Sequence, residues 1–242
     1  MRYFITLFLY LTLQSITLSA PLKDFTASYD LYHNNFYVGQ STRKLVTENK
    51  FLTFTSISKT AGLAALFFDV TLTETSKLRL KNNQLQFFSY HYEEKKSDGT
   101  EGYELRLDKN NTFYNSHTKK TYPVTKNLHD TLGFTVAIMH DMQKGKREIK
   151  YTIAEKDNLK TYTLKFIKKE NLMTDNGVIS TLKMEHYNPQ SKHRFTFWCA
   201  DNMDFLPIRI RNINHKGDEN LFNLTKINQK KIYLALDEED TD

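Results

Sequence analysis

Apolar and polar residues alternate with period two along most of this chain, and that alternation limits its possible folds more than any other feature. Phe25, Ala27, Tyr29 and Leu31 share one face against Thr26, Ser28 and Asp30. Successive side chains of an extended strand point to opposite sides, so such a run buries one face and wets the other. The pattern returns with Leu78 and Leu80 against Lys77, Arg79 and Lys81, and with Tyr103, Leu105 and Leu107 against Glu104, Arg106 and Asp108. Later, Tyr162, Leu164 and Phe166 oppose Thr163 and Lys165, while Ile208 and Ile210 oppose Arg209 and Arg211. Between these runs stand Asn34-Asn35, Asn82-Asn83, Ser97-Asp98-Gly99, Asn110-Asn111, Asp157-Asn158, Asp175-Asn176-Gly177 and Lys216-Gly217-Asp218. Asn, Asp and Gly tolerate the positive φ that tight hairpins demand. Short turn spacing with little helical pattern between strands predicts a mainly β fold. The expected form is a large antiparallel curved sheet or half-open β-barrel of about ten or eleven strands, with one central amphipathic helix.

The helix is predicted over Leu128–Met142, where Leu128, Leu132, Val136, Met139 and Met142 recur every three or four residues. Asn127 is its candidate N-cap, and Lys144, Gly145 and Lys146 close it. On that helix His129-Asp130 and His140-Asp141 would fall on one polar face, roughly 16 Å apart, too far to share a metal. A second stretch, Ala61 to Phe68, is apolar without clean alternation. It fits a short helix, a buried loop or a fully buried strand.

The two ends have their own composition. Arg2, the apolar run Tyr3 to Leu13 and the small residues up to Ala20 follow the order of a secretory signal peptide, with cleavage after Ser19 preferred because Pro21 disfavours a cut after Ala20. An uncleaved anchor or a buried strand is the competing reading. Residues 22–235 then form a single β-rich domain, and 236–242 an acidic, disordered tail. The net charge is +6. Without Arg2 and the five acids of Asp237–Asp242, 33 basic residues face 23 acidic ones, so the body carries +10. Such a basic domain suits an anionic envelope surface or an envelope protein. Export removes nucleic acid from the expected partners. The single Cys199 cannot form an intramolecular disulfide and reads as a buried thiol.

Enzymatic signatures are missing from the sequence. No H-E-x-x-H, C-x-x-C, G-x-S-x-G, Walker or G-x-G-x-x-G pattern occurs, and Cys199 has no visible base. Glu93 and Glu94 are adjacent, so on a strand they face opposite ways and cannot act on one substrate. The expectation is a protein without catalytic residues, metal or cofactor.

Phe25-Thr-Ala-Ser-Tyr29, Tyr37-Val-Gly39, Lys59-Thr-Ala-Gly-Leu63, Glu74-Thr-Ser76, Asp130-Thr-Leu132 and the stretch Phe197-Trp-Cys-Ala-Asp-Asn-Met-Asp-Phe-Leu-Pro-Ile-Arg-Ile210 occur in this order. In content and order they resemble the exported Gram-negative family known as domain of unknown function 3108, over about residues 25–227. The sequence departs from it at Gly133, where the family often has a small hydroxyl residue, and at Cys199, where an aliphatic residue is usual. The resemblance implies a periplasmic or envelope-associated, mostly antiparallel β protein, and it supplies no activity. A weaker similarity to the half-barrel folds of periplasmic lipoprotein carriers transfers no residues.

Two functions fit. In the first, a curved sheet encloses a site for an amphipathic or lipid-like ligand, lined by Leu63, Leu66, Phe67, Leu132, Val136, Met139 and Trp198, with the helix as a lid. In the second, the domain is a non-enzymatic envelope assembly or interaction scaffold that docks through its basic surface.

Overall fold

The structure is a computed structural model that describes residues 22–175 and 177–228. The predicted signal peptide and acidic tail lie outside the described residues. Fifteen strands form one sheet. In chain order they are β1 (Phe25–His33), β2 (Phe36–Glu48), β3 (Phe51–Thr60), β4 (Thr71–Lys81), β5 (Gln84–Lys96), β6 (Gly99–Leu107), β7 (Thr112–Asn115), β8 (Lys120–Pro123), β9 (Leu128–Asp130), β10 (Glu148–Ala154), β11 (Leu159–Thr174), β12 (Gly177–Tyr187), β13 (Arg194–Ala200), β14 (Leu206–Ile213) and β15 (Glu219–Asn228). The one α-helix among the described residues, α1 (Gly133–Gln143), lies between β9 and β10. The strand count exceeds expectation in part because β7, β8 and β9, of 4, 4 and 3 residues, are too short to show a period.

The sheet is two meanders joined at their starts and ends. Its order runs β8 to β1, then β15 down to β9, so β1 and β15 pair in the middle. All ladders are antiparallel except the short β9–β10 pair. The double-Asn turns form the hairpins expected of them: Asn34 and Asn35 have φ of 49° and 68°, and Asn82 and Asn83 have 50° and 56°. Both edges of the sheet curl toward the other half. Asn115 at the end of β7 donates to the Lys156 carbonyl after β10, and His117 pairs with Asp157. The sheet is therefore strongly curved and not closed into a ring.

The helix sits inside this curl. Every residue from Gly133 to Met142 is buried, so α1 has no wet face. Leu132, Val136 and Met139 pack with Phe25, Leu45, Phe54, Leu78 and Leu105 of the first meander. Phe134, Ala137, Ile138 and Met142 pack with Tyr151, Leu164, Met184, Phe197 and Ile210 of the second. A helix buried all round belongs to a core, which corrects the expected amphipathic helix with a polar face. It also starts later than predicted: His129 and Asp130 belong to β9, and only His140 and Asp141 are helical. Buried polar groups need partners, and Asp141 has them in Tyr151 Oη at 3.0 Å and Lys146 Nζ at 2.7 Å.

Two local predictions change for physical reasons. Asn127 takes φ of 57° and donates to the Lys150 carbonyl, so it turns the chain into β9 and does not cap α1. Asp130, two residues before the N-cap Leu132, holds the helix start instead: its Oδ1 accepts the Leu132 and Gly133 N–H groups at 2.9 and 2.6 Å. Phe166, apolar by alternation, is exposed because β11 shifts register between Phe166 and Lys168, and Arg147 covers its ring.

Candidate ligand-binding cavity

A band of buried polar residues crosses β2, β3 and β4. Ser41 and Arg43 on β2, Ser56 on β3, and Ser76 on β4 are all buried, and Glu74 is half-buried beside them. The serines satisfy one another: Ser58 donates to Ser41 at 2.9 Å, and Ser41 and Ser56 share a hydrogen bond of 3.2 Å. Ser76 donates to Asp130 Oδ2 at 2.6 Å, tying β4 to the start of the helix. Beside this band a cavity of about 350 Å³ opens between the first turn of α1 and the inner faces of β1, β2, β13, β14 and β15. A second space of about 220 Å³ shares Thr131, Phe134, Phe195 and Asn212 with it.

The cavity wall is mostly carbon. Leu31, Val38, Leu132, Phe134, Phe195, Phe197, Ile210, Leu221 and Phe222 line it, with Thr131, Thr135, Asn212 and Asn220 as neutral polar groups. Its two charged residues are Arg43 and Glu74. The Arg43 guanidinium lies 4.7 Å from the Phe222 ring centre and 5.2 Å from that of Tyr29. Glu74 Oε1 accepts from Tyr90 Oη at 2.7 Å, and that oxygen accepts from Thr131 Oγ1 at 3.0 Å. Burial holds the Glu74 carboxyl above its usual range, against the pull of Tyr90 and Arg43. Burial also lifts Asp130 to about 6, more than Ser76 and the two backbone donors draw it down.

Gly133 is fitted to this cluster. A Cβ there would meet Ser76 Oγ at 2.3 Å and Asp130 Oδ2 at 2.8 Å. A hydroxyl residue at this position would therefore compete with the Ser76–Asp130 bond. Gly133→Ala is expected to cost about 1–3 kcal/mol in a urea melt despite alanine's better helix propensity. An unchanged midpoint would mean that Ser76 swings aside.

The residues predicted to line a site separate into four places. Leu132 is on the cavity wall. Val136 and Met139, each 0% exposed, are inside the core one and two turns further along α1. Trp198 faces the other side of the sheet, where Glu170 accepts its indole N–H at 2.7 Å and Lys183, Arg209 and Arg211 cover its ring. Leu63, Leu66 and Phe67 lie outside the cavity, 76–77% exposed on a 3₁₀-helix over Gly62–Leu66 and the residue after it. This apolar turn is nonetheless close to the cavity mouth: Ala61 N–H bonds the carbonyl of Val38, a wall residue.

Sequence reasoning missed Arg43, Tyr90 and the phenylalanines of β13 and β15 as wall or support residues. A signal existed, since Tyr29, Glu74, Ser76, Asp130 and Thr131 all stand in the family-like motifs: the fold puts Glu74 and Thr131 on the cavity wall, Tyr29 against Arg43, and Ser76 and Asp130 behind Leu132. No cluster of His, Cys, Asp and Glu among the described residues could hold a metal ion. Cys199 is fully buried, and its burial pushes the thiol up, far from a reactive thiolate.

Among solved structures, the chain is similar to a beta-barrel-like protein of domain of unknown function DUF1849 from Brucella abortus, with a TM-score of 0.55 and 8% identity over 88% of this chain and 100% of that one. At that identity the likeness is one of fold. A DUF1089 family protein from Pseudomonas aeruginosa gives a TM-score of 0.38 and 11% identity over 69% of this chain and 87% of that one. No curated protein matches the chain. The family model described as protein of unknown function (DUF3108) matches residues 28–221, which span the ladder from β1 to β15, and the chain belongs to that family.

Proposed function

We propose that this protein binds an amphipathic or lipid-like molecule in a curved, half-open β-barrel, acting without catalysis in the periplasm after loss of its signal peptide. The observation that carries this reading is the cavity of about 350 Å³ whose wall is apolar and aromatic with a few convergent polar groups. Ligand sites of small molecules have that size and make-up. The helix is a fixed inner wall of this site, because its burial on every side leaves no face for a lid.

N-phenylnaphthylamine, a neutral dye that brightens in apolar surroundings, tests the reading. The protein is expected to bind it saturably, and dodecanol to displace it. Val38→Trp, which fills the mouth, is expected to weaken dye binding roughly ten-fold or more. Absence of saturable binding, or the same affinity in the variant, would sink the cavity as the site.

The second reading, an envelope scaffold, is favoured by the turn carrying Leu63, Leu66, Phe67 and Phe68, each at least 66% exposed. Exposed apolar side chains gathered on one loop mark contact surfaces. A scaffold needs no cavity, so dye uptake that Val38→Trp abolishes separates the two.

A further inference from the structure

Arg43 is 7% exposed, and its Nε has no hydrogen-bond partner. No carboxylate among the described residues stands within ion-pair contact of it: Glu74 attracts it from across the cavity wall, and the rings of Tyr29 and Phe222 lie against the guanidinium. The nearby carboxylate, Glu74, is held by Tyr90, which is in turn held by Thr131. Behind Ser76, Asp130 is committed to the helix start. The other ionisable groups along this side, Glu155, His186 and His193, line the neighbouring space and have their own partners in Tyr162, Thr163 and Asn212.

A buried cation with no carboxylate in ion-pair contact is costly, and Glu74 offers Arg43 attraction without such a contact. Guanidinium remains charged under all ordinary conditions and cannot escape that cost by losing its proton. Its fork of N–H groups matches the two oxygens of a carboxylate or phosphate. Here that fork borders a cavity whose remaining wall, from Leu31 and Val38 to Phe195, Phe197 and Leu221, suits an alkyl chain. The ring contacts with Tyr29 and Phe222 fix the guanidinium in advance, so little side-chain entropy is lost on binding.

We propose that the cavity's ligand is a single-chain amphiphile with an oxyanion head, and that Arg43 pairs with that head while the apolar wall takes the chain. This rests on the cavity reading and names the ligand's chemical class. Arg43 is the specificity-determining residue, and Glu74 opposes it by offering a competing negative charge.

Calorimetric titration with dodecanoate, dodecyl phosphate and dodecanol, which differ only in the head, tests this. At least one anion is expected to bind roughly ten- to hundred-fold tighter than the alcohol, the effect of a charged hydrogen-bonded pair. The tighter anion identifies the head as carboxylate or phosphate. Arg43→Met is expected to bring the anion-to-alcohol ratio close to one, and Glu74→Gln to raise it. The second variant keeps the proposal open to refutation should the first fail to fold, as judged by its thermal melt. Equal affinity for all three ligands in the unmodified protein overturns the head-group assignment while leaving the cavity in place. Binding of none of them overturns the cavity reading and this proposal with it.

Discussion

Asp130→Ala is expected to lower the free energy of unfolding by about 3–5 kcal/mol at pH 7, measured by urea denaturation. The side chain is fully buried and accepts three hydrogen bonds, from Ser76 Oγ, Leu132 N–H and Gly133 N–H. Its removal leaves three buried donors unmet, at about 1–3 kcal/mol each before relaxation, and frees the start of the helix that fills the curled sheet. Asp130→Asn retains an oxygen for both backbone donors and turns its amide toward Ser76 Oγ, which then accepts. That variant should lose only about 1 kcal/mol. Equal losses in the two variants would assign the stabilisation to charge and not to the hydrogen bonds.

The second large effect is on the pH dependence of stability, where His129 and Asp130 act in opposite directions. Asp130 is raised from 3.8 to about 6, so between those values the folded state holds a proton that the unfolded chain releases. Its contribution is present at low pH and is lost as pH rises through about 6. His129 is lowered from 6.5 to about 4, chiefly by burial, so in that window the unfolded chain binds the extra proton. Its contribution is present at neutral pH and is lost as pH falls through about 4. Each shift is worth about 3 kcal/mol by linkage, and the two largely cancel between pH 4 and 6.5. Glu74 adds to the first sign and His140 to the second, and both persist in either variant.

Removing one partner should expose the other. On acidification from pH 7 to pH 4, Asp130→Asn is expected to lose about 3 kcal/mol more stability than the unmodified protein. His129→Phe keeps a ring against Tyr151, 5.8 Å away, and removes an Nδ1 that has no hydrogen-bond partner. It is expected to gain about 3 kcal/mol relative to the unmodified protein over the same interval. Stability curves that run parallel for all three proteins would show that neither group titrates as its burial implies.

The strands and hairpins were legible because each is a local property: Ala27 and Tyr29 alternate with Ser28, and Asn34-Asn35 supplies the positive φ of the turn. The helix was legible in place but not in role. His140 and Asp141 look like a wet face, and only the curled sheet, which brings Asn83 and Tyr151 to them, makes that face part of the interior. The cavity was the least legible part. Its polar wall residues Arg43 and Glu74 occupy inward positions that a one-face-apolar rule assigns to hydrophobes, and the apolar Leu63, Leu66 and Phe67 are exposed. Hydropathy describes the average face of a strand. A site placed on the inner face is an exception to that average.

The pairing of β1 with β15 makes the molecule, topologically, a ring of hairpins cut at the middle of its sheet. Every other antiparallel ladder joins strands adjacent in sequence, so loop closure there costs little entropy. The central ladder instead joins residues as far apart as Thr26 and Asn228. During synthesis β1 emerges first and β15 last, and through that whole interval one long edge of β1 has no neighbour. A circular permutant joined from β15 to β1 and reopened in the stretch between β8 and β9 would turn this longest-range ladder into one more hairpin. The cavity would then be assembled from neighbouring segments, and the same architecture would be reached with its slowest contact made local.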